Sequence, residues 1–591
     1  MQRNEVKEQY KWKTEDLFAS DKDWEQNFDK TVAAIGLAQY SGKLGDRKQL
    51  LELFRKNDEL LIAMERLAIY AGLKHDEDSS ISKYTAYDAK IGIMFAKYSA
   101  DVAFIEPELA QADDKYLQSL IDDKDFFAYD YQIKRIMQGK PHMLSEEKER
   151  LIGMLGETFS TFNETYSMIN NVDFPFPEIE LDGERVKLTH GVYGTIMHGN
   201  DREKRKEAYE NYYAAFISLI NSITSTYYGN VKKDVFLAKT YNFGSCLERA
   251  LFTEDVDRKV YDNLLKSVDK NLSSMHRYVA DRKKIMNCDK LYFYDMNAPM
   301  VSGVEFKLGY DEAYDYVIRG LSPLGKEYQA LLKRGHDERW IDVEETDGKR
   351  SGAYSTGCYG SHPYVLLNYQ PTLNEVFTIA HEMGHSLHTY FSSAAQPYAK
   401  SNYKIFVAEV ASTVNEVLLL KFMVDEAEDI NLKKYLLNHY LDTIRATLHR
   451  QTMFAEFEYE AHSMVERDEP LTKENLCSLY EKLGKKYYGE AIEHDYDISC
   501  EWTRIPHFYS AFYVYKYATG IISAINIANR ILKEGESAVK DYFKFLSGGS
   551  SADPVSLLKL AGVDLTEQAP YDFAMREFDK TLTEFEKLMG I

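Results

Sequence analysis

The sequence predicts a mainly α-helical protein with a few short strands. From about Asp21 to Asn170, apolar residues recur at steps of three and four in nearly every segment, which is the spacing of amphipathic helices. Only 13 prolines interrupt the 591 residues, and this scarcity favours long helices. A chain of this length can form several ordinary domains or one large multi-lobed fold.

The first strand pattern lies at Glu178–Leu188, where residues alternate in character around Asp182 and Gly183. An Asp-Gly pair between two such runs predicts a β-hairpin. The helical pattern then resumes without a Gly/Ser-rich linker. We place a domain boundary near the hairpin, with an N-terminal helical lobe over residues 1–195 and a second domain over residues 196–591.

The second strand pattern follows a glycine-rich loop that begins at Gly348. The apolar run Pro363–Tyr369 predicts a strand after this loop. At a sheet edge, such a strand could hold an extended peptide through main-chain hydrogen bonds. An interior strand that contacts no ligand is an equally open interpretation.

A packed helix is predicted directly after this strand. Thr372 and Glu375 have the spacing of a capping box, and Pro371 precedes them. Apolar residues then recur at steps of three and four, as expected for a buried stripe. They are Val376, Ile379, Met383 and Leu387.

This helix carries the most specific chemical pattern of the chain, His381-Glu382-x-x-His385. Positions i and i+4 lie on one helical face about 6 Å apart along the axis, so both imidazoles can bind one ion. Two neutral imidazoles and one further protein ligand would leave a coordination position of Zn²⁺ open for water. Glu382 could take the proton of that water, so the pattern predicts one Zn²⁺ per chain and a general base.

Spacing narrows the choice of the third ligand. His388 lies about 10 Å along the helix axis from His381, which makes it difficult for one ion to reach both rings together with His385. The sequence contains no Asp or Glu between Ser386 and Ala408, so Glu409 is the first carboxylate available and is our candidate. Glu416, seven positions later, could accept a hydrogen bond from a ligand imidazole, or it could be a plain surface residue.

A late aromatic stretch, Arg504–Gly520, offers neutral hydrogen-bond donors for the negative charge that develops during amide hydrolysis. After Pro506 the pattern predicts a helix. On it His507, Tyr513 and Tyr517 are candidates to face a cleft, the two tyrosines one turn apart. Aromatic core packing is an alternative that these residues leave open.

Composition excludes several partners and locations. Acidic residues outnumber basic ones by 94 to 72, for a net charge of -22, so we expect neither a nucleic-acid-binding nor a membrane-binding surface. No apolar run approaches the roughly 18 residues of a membrane span, and Met1–Lys7 lacks the apolar core of a signal peptide, so we expect a cytoplasmic protein. The odd number and scattered positions of the cysteines favour reduced thiols over disulfides or a thiolate zinc site. They are Cys246, Cys288, Cys358, Cys477 and Cys500.

Together these stretches resemble the oligoendopeptidase F branch of the thimet-oligopeptidase-like zinc metallopeptidases. The resemblance rests on His381–His385 with His388 following, on Phe406–Ser412, on Arg450–Glu458 and on Arg504–Tyr509. It extends over nearly the whole chain and is strongest from about residue 200 onward.

This resemblance implies a two-lobed helical shell around a deep channel that admits unstructured oligopeptides. It also implies that Glu409 is the third zinc ligand, and that His507, Tyr513 and Tyr517 bind substrate or stabilise the oxyanion. At Gly520 some relatives of the wider family have a further tyrosine, so the number of hydroxyls that contact the transition state is open.

We therefore expect a zinc-dependent endopeptidase that hydrolyses internal bonds of short oligopeptides, with zinc-bound water as nucleophile and Glu382 as general base. A zinc exopeptidase of carboxypeptidase or dipeptidase type would share the metal chemistry, although the chain lacks a Gly-x-Met-Glu-Asn aminopeptidase motif. A catalytically idle peptide-binding protein is the third possibility, and the intact metal pattern and general base disfavour it.

Overall fold

A computed structural model describes residues 1–181, 183–301 and 306–591 of the chain, and these residues are mainly helical. The predicted helical fold class is confirmed. Within the described residues, no helix combines the length and the apolar character needed to cross a membrane. The first half contains α1 (Asp21–Ala34), α2 (Arg47–Glu77), α3 (Ser82–Val102), α4 (Ile105–Gln111), α5 (Asp114–Ile121), α6 (Asp130–Gly139), α7 (Glu146–Met154), α8 (Gly156–Asn171), α9 (His190–Met197), α10 (Arg202–Ser218), α11 (Ile220–Thr240), α12 (Cys246–Glu254), α13 (Arg258–Lys270) and α14 (Leu272–Ile285).

The remaining helices include α17, which carries the metal motif, and the helices that precede and follow it in sequence. They are α15 (Tyr310–Gly320), α16 (Gly325–Asp337), α17 (Leu373–Ala395), α18 (Tyr398–Ser401), α19 (Ile405–Glu426), α20 (Ile430–Ile444), α21 (Arg450–Glu466), α22 (Lys473–Tyr488), α23 (Tyr496–Ser499), α24 (Tyr515–Glu534), α25 (Glu536–Leu546), α26 (Pro554–Leu560) and α27 (Ala569–Met589). A π-helical turn, Arg445–His449, joins α20 to α21.

Many helices begin where the sequence provides a capping side chain. Asp46 accepts hydrogen bonds from the backbone amides of Lys48 and Gln49 at the start of α2. Asp201 accepts one from Lys204 at the start of α10. Such side chains satisfy amides that have no partner within the helix, and they stabilise its first turn.

The described residues also contain five short strands. They are β1 (Glu178–Leu181), β2 (Glu184–Lys187), β3 (Ile341–Asp342), β4 (Tyr354–Thr356) and β5 (Tyr364–Leu366). β1 and β2 form the predicted antiparallel hairpin, in which Ile179 pairs with Val186. Asp182 of the predicted turn lies outside the described residues, whereas Gly183 has the left-handed φ of +84° that the turn requires.

The described chain forms two compact units, each assembled from segments that are separate in sequence. The first unit comprises Met1–Met143, Phe306–Phe422 and Ile527–Val563, and the second comprises Leu144–Glu305, Met423–Asn526 and Asp564–Ile591. The division at residue 195 assumed contiguous domains, because periodicity along a sequence does not report which distant segments pair. That division remains a prediction.

In the first unit, a three-stranded sheet lies next to the metal-motif helix. The strand order is β3-β5-β4, with β5 parallel to β3 and antiparallel to β4. The predicted strand at residues 363–369 is therefore the central strand of this sheet, and its two edges are paired. Tyr364 and Leu366 on β5 join the core built by α1 to α6, in which the buried Trp24 stacks on Tyr87 at 3.8 Å.

The second unit is built from helices and the β1–β2 hairpin. Asp295, which is fully buried, accepts hydrogen bonds from Arg205 at 3.0 Å and from Arg202 at 2.9 and 3.1 Å. These bonds neutralise a buried carboxylate between α10 and the loop after α14.

Candidate metal centre and aromatic cluster

The helix α17 places the metal motif in a packed environment. The predicted stripe is confirmed, since each of its four apolar side chains is no more than 1% exposed. Thr372 caps the helix by accepting a hydrogen bond from the Glu375 amide at 3.4 Å. A complete capping box would also have the Glu375 side chain accept a hydrogen bond from the Thr372 amide. That part of the prediction is wrong, because the Thr372 amide donates to the carbonyl of Gln370 at 2.7 Å.

The first unit brings three candidate ligands together where α17 and α19 meet. They are His381, His385 and Glu409, and each is partly exposed. The two Nε2 atoms are 3.2 Å apart. Glu409 Oε2 lies 3.4 Å from His381 Nε2 and 3.3 Å from His385 Nε2. The three donor atoms thus form a nearly equilateral triangle.

This triangle fits a tetrahedral metal ion. Zinc binds imidazole nitrogen and carboxylate oxygen at about 2.0–2.1 Å, so the ligands of a tetrahedral site are about 3.3–3.4 Å from one another. The three distances in the structure match one face of such a tetrahedron. Within the part of the chain that the structure describes, this is the one group of three His, Cys, Asp or Glu residues with such spacing.

Electrostatics also favour a cation at this place. Burial alone would lower the pKa of His381, but its hydrogen bonds with Glu409 and Glu416 outweigh burial and raise that pKa to about 10. Burial alone would raise the pKa of Glu409, and its hydrogen bonds with His381 and His385 hold it well below its usual range. The cluster therefore attracts positive charge, and a metal ion would compete with protons for it.

Glu382 lies beside these residues with only 7% of its surface exposed. Burial raises the pKa of its carboxyl group, and positive charge on His381 and His385 opposes this effect. A carboxylate with a raised pKa is a stronger base than one in water, which is the property that proton abstraction near neutral pH requires.

Glu416 takes the role that the sequence left open. Its Oε1 lies 2.5 Å from His381 Nδ1. The Nδ1–H group of neutral His381 donates to this carboxylate. Nε2 is then unprotonated, and its lone pair points toward the triangle. Ser412 Oγ, one turn after Glu409 on α19, donates to Glu409 Oε2 at 3.1 Å and restrains this candidate third ligand.

Close packing between α17 and α19 fixes these distances. A Cβ atom at Gly384 would lie 2.5 Å from Ser412 Cα and 2.8 Å from the Ala411 carbonyl oxygen, so only glycine permits this approach. The fully buried Asn415 donates to the Ala380 carbonyl at 2.9 Å and accepts from the Tyr328 hydroxyl at 3.0 Å. The sequence motifs do not reveal the packing roles of Gly384 and Asn415, although a glycine inside a helix is itself a signal of close approach.

His388 stays outside the donor set. Its ring is 1% exposed and stacks on Tyr403 at 3.7 Å, with Phe545 at 5.2 Å. Burial, with a smaller contribution from His385, lowers its pKa to about 3. It is a neutral packing residue, in agreement with the argument from helix geometry.

His507, Tyr513 and Tyr517 lie together in the second unit. The two tyrosine rings are 5.4 Å apart, and His507 Nε2 lies 3.4 Å from the Tyr517 hydroxyl. Phe508 and Phe512, interspersed with them, are no more than 2% exposed, whereas His507 is exposed and the two tyrosines are half-buried. The stretch thus separates into packing residues and an accessible cluster.

The prediction that a helix begins directly after Pro506 is wrong. Pro506–Tyr509 form a single 3₁₀ turn, and α24 begins only at Tyr515. Phe512 has a left-handed φ of +55°, which a continuous α-helix does not allow. Tyr513 therefore precedes the helix and Tyr517 lies in its first turn.

Buried ion pairs hold the turn that carries His507. Glu501 Oε1 accepts hydrogen bonds from Arg450 at 2.5 Å and from Arg504 at 2.9 Å. Partial burial lowers the pKa of His507, and the positive charge of Arg450 adds to this effect. The ring of His507 is thus neutral near neutral pH and can donate one hydrogen bond.

Comparison with known proteins identifies the family of this chain. Residues 195–577 match the family model described as Peptidase family M3, and residues 108–176 match that described as Oligopeptidase F. Oligopeptidase PepF of Bacillus subtilis is 41% identical over 99% of this chain and 88% of its own length. A crystal structure from Chlamydophila abortus aligns with a TM-score of 0.93 and 34% identity over 99% of both chains. That of oligoendopeptidase-F from Enterococcus faecium aligns with a TM-score of 0.75 and 33% identity, over 96% of this chain and 99% of that one.

Proposed function

Because this chain belongs to peptidase family M3, a family of metallopeptidases, we propose that it is a zinc-dependent endopeptidase that cleaves internal bonds of short, unstructured oligopeptides. The triangle of His381 Nε2, His385 Nε2 and Glu409 Oε2, with the buried Glu382 beside it, carries the proposal. Two of its relatives are an oligopeptidase and an oligoendopeptidase, which supports the substrate class. We further propose one ion per chain and a cytoplasmic location.

His381, His385 and Glu409 would hold the ion, with Glu416 fixing the tautomer of His381. When bound, zinc would lower the pKa of a water molecule toward neutrality and polarise the scissile carbonyl group. Glu382 accepts the proton of the attacking water and then donates it to the leaving amine. The raised pKa of Glu382 suits both steps, since a stronger base also gives a carboxylic acid that is stable until the amine departs.

The accessible cluster of the second unit supplies donors for the oxyanion in this proposal. The hydroxyl groups of Tyr513 and Tyr517 and the neutral ring of His507 can each donate one hydrogen bond to a negatively charged oxygen. Neutral donors suit this role because they stabilise charge that develops only during the reaction.

The sheet of the first unit offers a different strand for substrate than the one the sequence suggested. β5 is paired on both sides, whereas β4 is an edge strand next to α17, where Ser355 Oγ lies 2.8 Å from Ser386 Oγ. We propose that an extended peptide pairs with the outer edge of β4, which bonds to no other strand among the described residues.

The central test is hydrolysis of an internally quenched peptide of about eight residues that is blocked at both ends. The protein is stripped of metal and assayed with and without one equivalent of zinc. We expect internal cleavage only when zinc is present. Cleavage restricted to peptides with a free terminus would show that the protein is an exopeptidase. Zinc binding without cleavage of any peptide in a varied set would indicate a peptide-binding protein.

A second test concerns the oxyanion donors. Tyr513→Phe is expected to lower kcat by about 10²-fold with little change in KM, because the lost hydroxyl acts mainly in the transition state. Steady-state kinetics on the blocked peptide measure the effect. Tyr509→Phe is the matched control, since its hydroxyl is engaged with Thr226 Oγ at 2.7 Å within the core. An unchanged kcat for Tyr513→Phe would show that the Tyr513 hydroxyl does not stabilise the transition state.

A further inference from the structure

The loop that carries Tyr513 has an unusual backbone. Among the described residues, six other than glycine have a positive φ, and Phe512 is the one aromatic among them. A bulky side chain rarely adopts the left-handed region, so surrounding contacts must hold it there. Phe512 immediately precedes Tyr513, and its φ therefore sets the direction in which the chain presents Tyr513.

One buried carboxyl group holds this residue in place. Glu458 Oε1 on α21 accepts a hydrogen bond from the Phe512 amide at 2.7 Å. Glu458 is fully buried, and its Oε2 has no hydrogen-bond partner among the residues that the structure describes. A buried acid is costly, and the bond to the Phe512 amide is the contact that its side chain makes with the loop.

The same helix holds the ring of Phe512. His462, one turn after Glu458, is 1% exposed and packs its ring 4.8 Å from that of Phe512. His462 Nδ1 donates to the Glu458 carbonyl at 2.8 Å, and Nε2 lies 3.5 Å from Asp234 Oδ2. The Tyr261 ring packs edge-on against the Phe512 ring, with 6.2 Å between the ring centres. The ring and the amide of Phe512 are thus held by separate contacts.

We propose that Glu458 is a positioning residue that fixes the left-handed turn at Phe512 and thereby sets the direction of the Tyr513 side chain. The inference rests on the proposed role of Tyr513 in hydrolysis. A misplacement of about 1 Å in a catalytic group can cost about 10²-fold in rate, so one backbone hydrogen bond at this position is sufficient to affect turnover.

Two substitutions at residue 458 separate the hydrogen bond from the charge. Glu458→Gln keeps an acceptor for the Phe512 amide, whereas Glu458→Met keeps the length of the side chain and removes the acceptor. Burial raises the pKa of Glu458 to about 8, against the opposing effects of His462 and the Phe512 amide, so glutamine resembles the neutral acid. We expect Glu458→Met to lower kcat by about 10- to 100-fold with KM within about threefold, and Glu458→Gln to remain within about threefold of the wild type.

The test is a double-mutant cycle on the zinc-loaded enzyme, with each variant also made in a Tyr513→Phe background. If Glu458 acts through Tyr513, Glu458→Met has little further effect once that hydroxyl is absent. The same fold-loss in both backgrounds, or an equal loss of kcat in folded Glu458→Gln, would overturn the proposal. If Tyr513→Phe alone leaves kcat unchanged, the proposed role of Tyr513 fails, and the role of Glu458 fails with it.

Hydrogen exchange gives a readout that does not depend on activity. Exchange in peptides covering residues 505–517 should accelerate in Glu458→Met but not in Glu458→Gln, while α22 stays unchanged. Glu456→Met is the matched control: it removes a half-buried carboxylate two residues away that binds Lys486 and the Tyr487 hydroxyl, each at 2.8 Å. Equal acceleration in both methionine variants, or none in Glu458→Met, would show that Glu458 does not hold the loop.

Discussion

Replacement of Glu382 by glutamine is expected to lower kcat by about 10²- to 10⁴-fold while one zinc ion per chain is retained. Glutamine has nearly the shape of glutamate but cannot accept the proton of the attacking water. The proposed ligand atoms belong to His381, His385 and Glu409, so metal content should not change. Metal analysis and turnover of the blocked peptide, measured on one preparation, test both statements.

Glu375→Gln is the control for this substitution. Glu375 lies in the first turn of the same helix, is half-buried, and has a pKa that burial raises. Its replacement should leave kcat within about threefold, because it lies about 10 Å along the axis from Glu382. Substantial residual turnover in Glu382→Gln, or equal losses in the two variants, would remove Glu382 from the role of base.

The meeting of the candidate metal ligands could be predicted largely from local sequence patterns. The spacing of His381 and His385 fixes their common face in any α-helix, and the stripe beside them fixes which side is buried. Glu409 is the predicted third ligand because it is the first carboxylate after the motif. In the structure its Oε2 lies 3.4 Å from His381 Nε2 and 3.3 Å from His385 Nε2. The resemblance to oligoendopeptidase F is likewise confirmed by the family comparison. The channel that this resemblance implied stays a prediction.

Features that depend on long-range pairing could not be predicted in the same way. The pattern at residues 363–369 indicates a strand, but only the pairing with β3 and β4 makes it central rather than an edge. The start of α24 was misjudged because Tyr513 and its neighbours have an acceptable helical pattern. The left-handed φ of Phe512 and its bond to Glu458, 54 positions earlier in sequence, interrupt that pattern. Tertiary contacts therefore override a local preference at Phe512, directly before the candidate donor Tyr513.

Gly384 provides the other large effect that we expect. The methyl group of Gly384→Ala would lie 2.5 Å from Ser412 Cα, at least about 1 Å closer than favourable carbon contacts. The neighbouring atom belongs to the backbone, so α19 must move as a whole. Glu409 and Glu416 lie on that helix, whereas metal ligands tolerate displacements of only about 0.2 Å. We expect zinc affinity to fall by about 10- to 100-fold, and the metal-free protein to lose about 1–3 kcal/mol of stability.

Gly92→Ala separates this effect from a general effect of alanine in a helix. Gly92 lies inside α3 in the same unit, and an added Cβ would meet no atom within 4 Å. Alanine should stabilise that helix by about 0.5–1 kcal/mol and leave zinc affinity unchanged. Chelator competition and thermal unfolding of both metal-free variants measure the two quantities. If Gly384→Ala bound zinc as tightly as Gly92→Ala, the distance between α17 and α19 would not control the metal centre, and the ligands would have to adjust independently of their helices.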